Sequence, residues 1–247
     1  MPLGIGFLLK KALNYFPVPD ELVNVGAHIR DKWVAAKAAS LSAGARVLDA
    51  GAGECQYRQL FSHCDYKTQD FAQYTGSSYG ALYEKWDYGK LDYVSDIAHI
   101  PAPDESFDAV LCTEVLEHVP NPIDTLREFS RILAPGGRLF LSAPLSSGIH
   151  QQPFHYYGGY SPHFYTKFLS EFGFEIVEIV PTGGLMKHVG QELHRVGRII
   201  EERAPRRLSP LKKYILMRWL PLYLGKLDGE LFVEEFTVGY LVEAVKK

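Results

Sequence analysis

A short apolar strand running into a glycine turn, Val47-Leu48-Asp49-Ala50-Gly51-Ala52-Gly53-Glu54, constrains the fold of this chain more than any other segment. Glycine accepts the positive backbone angles of a sharp reversal and lets main chain approach a neighbour or ligand closely. The strand, 46–49, ends in an acid, and residues 56–61 are expected to begin a helix. A strand, a tight turn and a helix open a doubly wound α/β sheet, whose ligands bind in the crevice outside the carboxyl ends of the strands.

The remaining chain fits that architecture. Further strands are expected at 66–71, 93–96, 107–113, 138–142, 174–180 and 236–244, with helices at 20–41, 122–133 and 162–172. The 107–113 run, Phe-Asp-Ala-Val-Leu-Cys-Thr, is mostly apolar, as suits a strand buried on both faces. Pro135-Gly136-Gly137 reads as a sharp turn. The expectation is one α/β domain with a mostly parallel seven-stranded sheet. It divides into an arm and helix (1–43), a ligand-binding core (44–182), a helical insertion or lid (183–235) and the last strand (236–247). Residues 72–91, rich in Tyr and Gly, read as an ordered loop.

Composition narrows the function. With 47% hydrophobic and 22% charged residues in 247, the chain can bury a sizeable core. A formal net charge of −3 argues against a general nucleic-acid binder. Three cysteines without a Cys-x-x-Cys spacing suggest neither a disulfide framework nor a zinc site, so no metal is expected. The N-terminal apolar stretch precedes Lys10 and Lys11 instead of following them, the wrong order for a secretory signal, so a cytoplasmic protein is expected.

Acidic residues mark three successive strand ends. Asp49 at the first can accept a hydrogen bond from a cationic amino group or fix the glycine turn. The helix that follows can offer free N–H groups to a carboxylate, so an amino-acid moiety suits the turn. Asp70, ending the second strand, can hold both ribose hydroxyls. Asp96, ending the third, can pair with an exocyclic adenine amine. Each alone is equally readable as a cap or a solvated charge; the three converge on one crevice. A nicotinamide dinucleotide fits less well. The third glycine of its fingerprint would fall at Gln56, and Asp49 would repel a pyrophosphate.

Five motifs in order carry a family resemblance: Val47 to Gly53; Asp96-Ile97 followed by Ile100-Pro101; Ser106-Phe107-Asp108-Ala109-Val110; Glu114-Val115-Leu116-Glu117-His118-Val119; and Leu133-Ala134-Pro135-Gly136-Gly137. Together they resemble the class I methyltransferases over roughly residues 44–182. The resemblance implies a Rossmann-like fold, S-adenosylmethionine as cofactor and methyl transfer. It also implies that Asp49 and the backbone of Ala50, Gly51, Ala52 and Gly53 hold the methionine part, that Asp70 holds the ribose with Phe71 beside the adenine, that Asp96 and Ile97 flank the adenine amine, and that Thr113 lines the pocket by its backbone. One departure stands out: the family often has a glycine where this chain has Cys55.

The acceptor side is expected in 146–161, at the end of the fifth strand. His150 is the first candidate for a general base and His155 the second. The alternative is that both pack the loop, whose Ser161-Pro162 fits a helix cap. The stretch resembles a branch of these methyltransferases in which an arginine stands at the position of Gly159. His118 reads as structural or as pocket wall, and Glu114 as pocket wall or helix start.

Residues 203–227 carry seven basic and no acidic residues, interleaved with Leu and Trp219. Peripheral contact with an anionic membrane, a lid helix with solvated basic residues, and an oligomer contact are all open readings. The acceptor is accordingly a small molecule, a glycan or a lipid-type compound such as a quinone precursor, methylated at oxygen. A cofactor-binding partner subunit without turnover is the non-enzymatic alternative.

Overall fold

In the computed structural model, residues 18–76, 86–204 and 206–247 are described, so the N-terminal 1–17 of the expected arm and the centre (77–85) of the expected loop lie outside them. The elements run as follows: α1 (Asp20–Val23), α2 (Val25–Ala39), β1 (Arg46–Ala50), β2 (Asp65–Asp70), β3 (Tyr93–Val94), β4 (Phe107–Thr113), α3 (Pro122–Ile132), β5 (Leu133–Pro144), α4 (Pro162–Glu171), β6 (Phe174–Pro181), α5 (Leu185–Arg203), α6 (Pro210–Tyr214), α7 (Leu220–Glu230) and β7 (Gly239–Lys246).

The seven strands form one sheet in the order β3-β2-β1-β4-β5-β7-β6. Neighbours from β3 to β5 are parallel, and β7 enters antiparallel to β5, so the sheet is mixed. Side chains alternate across it. Leu48, Val110, Leu139 and Leu141 point into one core layer with Leu126 and Phe129 of α3. Val47, Ala109, Leu111 and Phe140 point into the other, with Val34 and Ala38 of α2. Because β1 to β4 run parallel, their carboxyl ends share one edge, and that edge carries Asp49, Asp70, Asp96 and Thr113.

Several expected elements differ in extent. The helix at 20–41 breaks at Asn24, which leaves helical backbone at φ −129°. The expected helix at 56–61 is a single 3₁₀ turn, Arg58–Phe61, so the glycine turn is followed by no α-helix terminus. The third strand shrinks to Tyr93–Val94 and the last begins at Gly239 after a 3₁₀ turn at Glu234–Phe236. Pro135-Gly136-Gly137 forms an irregularity inside β5 rather than a turn before it; pairing with β4 jumps from Phe107↔Leu133 to Ala109↔Arg138.

The described chain divides into two compact units. One comprises 30–180 with 239–247 and holds the sheet; the other comprises 181–238 with the segment ending at Ile29. In the second unit Asp228 is 2% exposed and accepts backbone N–H bonds from Gly184, Met186 and Lys187, capping α5. Residues 210–230 form a nearly continuous helical run with a π-helical turn at Ile215–Trp219. Among the described residues no helix is long and apolar enough to cross a membrane.

In the sheet unit a buried acid ties three elements together. Glu243 of β7 accepts from Arg138 of β5 at 2.6 and 2.9 Å and from Lys37 of α2. Desolvation would lower the Lys37 pKa, but the bonds to Glu178 and Glu243 outweigh it and the net shift is upward. Glu243→Ala removes the carboxylate from Arg138 and one of the two from Lys37, so a loss of about 3 kcal/mol in a urea melt is expected. A loss below about 1 kcal/mol would show that the pair merely offsets its own desolvation.

Candidate cofactor and acceptor site

The glycine turn is bound back onto β2. Gly51 and Ala52 donate backbone N–H bonds to the Gln69 carbonyl at 2.8 and 2.9 Å, and Gly53 donates to Asp70 Oδ2 at 2.9 Å. These three amides already have partners, and the helix expected after the turn is a single 3₁₀ turn. Gly51 has φ +74°, and a Cβ on it would lie 2.4 Å from a Val115 methyl, so any side chain is excluded. Cys55, where the family often has glycine, sits at φ +57°, the left-handed conformation that glycine favours.

A cavity of about 590 Å³ opens at the strand ends, within the size range of small-ligand pockets. Its walls include Asp49, Gly51, Ala52, Gly53, Asp70, Phe71, Asp96, Ile97 and Thr113; of the expected cofactor residues only Ala50 is absent, fully buried in the sheet. Asp49 is 3% exposed and accepts a hydrogen bond from the Tyr66 hydroxyl. Burial pushes its carboxyl up to about 7; the Tyr66 bond opposes this and Asp70 adds to it. Asp70 accepts from Gly53 and Ala72 through different oxygens, and each oxygen keeps a lone pair for a ligand hydroxyl. Asp96 accepts from the Ala98 amide at 2.9 Å, and Phe71 stands edge-on to Phe154 at 4.9 Å.

Two wall residues, Arg30 and Trp86, escaped the sequence reading, while Glu114, read there as pocket wall or helix start, does line the cavity. Arg30 projects from α2 with its Nε donating to Tyr57 Oη at 3.0 Å and its Nη1 3.6 Å from Glu114. It brings a cation to the cavity wall. The signal was present, since Arg30 stands four residues before Val34 on the buried face of α2, a charge in an apolar stripe. Trp86 stands edge-on to Tyr74 on the cavity wall, and its buried Nε1 has no hydrogen-bond partner among the described residues. Glu114 takes φ +54°, rare for a non-glycine residue, and accepts from the Ser142 hydroxyl at 2.8 Å.

At the other end of the cavity lie His118, Gln151, Phe154 and Tyr156. Tyr156 and Tyr157 donate their amides to the Glu117 carbonyl, which docks the 146–161 loop onto the Leu116–His118 turn. His118, His150 and His155 form a cluster with ring centroids 4.7, 5.7 and 4.8 Å apart. His118 is on the cavity wall; His150 and His155 stand behind it, turned toward the Gly148 carbonyl and the Ser147 hydroxyl. Desolvation takes His118 down to about 4 despite its bond to the Phe154 carbonyl. Desolvation also lowers His155, with His150 contributing. Glu117 is 1% exposed, and burial with the nearby Glu114 charge raises it to about 8.

A family model described as a methyltransferase domain matches residues 27–179. A ubiquinone biosynthesis O-methyltransferase of Vibrio cholerae is 32% identical over 108 residues, 40% of this chain and 42% of that protein. One of Xanthomonas oryzae is 62% identical over 37 residues, 15% of this chain and 16% of that protein. The matches thus span less than half the length of these relatives. Among solved structures, a phosphoethanolamine N-methyltransferase 2 of Haemonchus contortus, in complex with S-adenosyl-L-methionine, superposes with a TM-score of 0.52 at 15% identity, covering 96% of this chain and 60% of that one. The [4+2]-cyclase SpnF does so with 0.51 at 19% identity, covering 89% and 80%. With the family model matching more than half of its residues and the strand order and strand-end site of that fold, the chain belongs to the class I S-adenosylmethionine-dependent methyltransferases.

Proposed function

We propose that this protein binds S-adenosylmethionine in the strand-end cavity and transfers its methyl group to an oxygen of a small-molecule, glycan or lipid-type acceptor. The observation that carries the reading is the meeting of Asp49, Asp70 and Asp96 with the glycine turn on one cavity wall. Asp49 takes the ammonium of the methionine part and Arg30 its carboxylate. Asp70 takes the ribose hydroxyls. Phe71 and Ile97 flank the adenine, and Asp96 accepts from its amine. When bound, the cofactor supplies a methyl carbon activated by a sulfonium.

The protein's part in the reaction is to align the acceptor oxygen with that carbon and to exclude water. The oxygen lone pair forms the new O–C bond as the C–S bond breaks, and that bond's electron pair stays on sulfur. The acceptor proton goes to the histidine cluster and from there to solvent. The choice of oxygen rests on this cluster and on the names of the sequence relatives, which suggest a phenolic, quinone-type acceptor.

The fold alone does not decide for methyl transfer, since a cyclase shares it. Calorimetric titration with S-adenosylmethionine and, in parallel, with NAD is the direct test. Micromolar binding of the first and none of the second is expected, followed by label transfer from methyl-labelled cofactor to catechols or polyprenyl phenols. Absence of S-adenosylmethionine binding would refute the reading. Binding without transfer to any acceptor would favour a partner subunit.

One observation favours action at a membrane surface. Leu211, Ile215, Trp219 and Tyr223 recur every four residues, all more than a third exposed, and Trp219 stacks on Tyr223 at 5.5 Å. Residues 203–227 add seven basic and no acidic groups. Co-sedimentation with anionic but not zwitterionic vesicles is expected, and reversal by high salt follows from screening.

A further inference from the structure

We propose that Glu117, His118 and His150 bind a divalent transition-metal cation of the zinc type at the acceptor end of the cavity. Each residue offers one ligand atom, and these atoms lie within 4.8 Å of one another. Four ligands at about 2.0–2.2 Å in tetrahedral array stand about 3.4 Å apart, so side-chain rotations of an ångström or so close the set.

The hydrogen bonds prepare both imidazoles for this task. His118 Nδ1 lies 2.5 Å from the Phe154 carbonyl and His150 Nδ1 lies 2.9 Å from the Gly148 carbonyl. A carbonyl only accepts, so each Nδ1 carries the proton and each Nε2 presents a lone pair. A metal-bound histidine is held in the same way, its second nitrogen donating to a backbone carbonyl that fixes tautomer and ring orientation. Here the two carbonyls belong to the same loop, 146–161, which the Glu117 carbonyl in turn anchors through Tyr156 and Tyr157.

The carboxylate supplies the second, independent sign. Glu117 is 1% exposed, its Oε1 lies 3.7 Å from His118 Nε2, and its buried Oε2 has no hydrogen-bond partner among the described residues. An isolated buried carboxylate is costly, and a cation at this point satisfies both it and the two lone pairs. Glu114 does not compete for the role, because its Oε1 is engaged by Ser142 and faces Arg30.

Two imidazoles and one carboxylate favour zinc-type cations over magnesium or calcium, which prefer all-oxygen sets. Three protein ligands leave a coordination position open, as in catalytic rather than structural zinc sites. His118 lines the cavity, so that open position faces the acceptor end. There the cation holds an acceptor oxygen, and His155, outside the ligand set, remains to carry the proton. This orientation rests on the proposed methyl-transfer reading; the binding of the cation does not.

Cobalt(II) titration of chelator-treated protein, followed by visible absorption, tests the site directly. One equivalent with intense tetrahedral-type bands is expected, displaced by zinc. His150→Ala, at a partly exposed position whose removal leaves the core intact, should weaken cobalt binding by more than about 100-fold, beyond the loss typical of an outer-shell change. Its calorimetric affinity for S-adenosylmethionine should stay within about twofold of wild type. No cobalt bands in the unmodified protein, or equal cobalt affinity in the variant, would overturn the metal site. Loss of S-adenosylmethionine binding in the unmodified protein would instead overturn the methyl-transfer reading and leave the cobalt result standing.

Discussion

Affinity for S-adenosylmethionine is expected to fall about tenfold for each pH unit below about 7, with proton release on binding over the same range. The cause is Asp49. Without a ligand its carboxyl is buried beside Asp70, and its pKa is pushed up to about 7. Below that value the free protein holds a proton there. An ammonium placed against the carboxylate favours the charged form, so the bound state holds that proton less tightly. Binding then requires its release and weakens as pH falls, from about 7 toward the depressed pKa of the bound state. Above about pH 8 the ligand's own α-amino group loses its charge, and affinity declines again. Calorimetry in two buffers of different ionisation enthalpy, between about pH 5 and 8, measures both affinity and proton count. Asp49→Asn should flatten the acid limb. A wild-type profile as flat as that of the variant would remove Asp49 from the ammonium site.

The strand-end acids were legible in the sequence because a parallel sheet places every strand's carboxyl end on one edge. Finding Asp49, Asp70 and Asp96 at three such ends was therefore enough to bring them together. What the turn does with its own amides was not legible, because Gln69 and Asp70 capture them from a strand some twenty residues away. In the proposed reading the carboxylate falls to Arg30, which precedes the glycine motif and belongs to none of the motifs that carry the resemblance. Cys55 presents the converse case. It reads as a departure by residue type, while its backbone keeps the conformation expected of glycine. Among the histidines, 150 and 155 stand out by their place after a strand, whereas His118, within a motif of the resemblance, reads as structural or as pocket wall, and it stands on the cavity wall. The bonds from His118 to Phe154 and from Tyr156 and Tyr157 to Glu117 show that the motif and the loop build one cluster.

Placing an arginine at position 159, as in the related branch of the family, is expected to break the acceptor loop rather than add an anion contact. Gly159 has φ +150°, and a Cβ built on it lies 2.3 Å from the Leu145 carbonyl oxygen and 2.5 Å from that of Pro144. These are backbone atoms at the end of β5 and cannot rotate away. The contact is close because the loop returns onto its own start: Ser147 donates its amide to the Gly158 carbonyl at 2.6 Å and Tyr160 donates to Pro144 at 2.8 Å. Tyr160 is itself anchored, its hydroxyl bonded to the Leu116 carbonyl at 2.7 Å. Any side chain at 159 therefore forces apart either the loop closure or this anchor. Strained backbone and overpacking each cost about 1–3 kcal/mol, so Gly159→Ala should lose about 3 kcal/mol or more, and Gly159→Arg at least as much. For a chain of this size that is a drop of about 6–12 °C in Tm. Hydrogen exchange should locate the loosening in 145–160. Gly148→Ala is the control, since nothing lies within 4 Å of its added Cβ, and it should stay within about 0.5 kcal/mol of wild type. If Gly159→Ala melted with the control, the loop could not close on β5 as described, and the histidine cluster it carries would have to be placed anew.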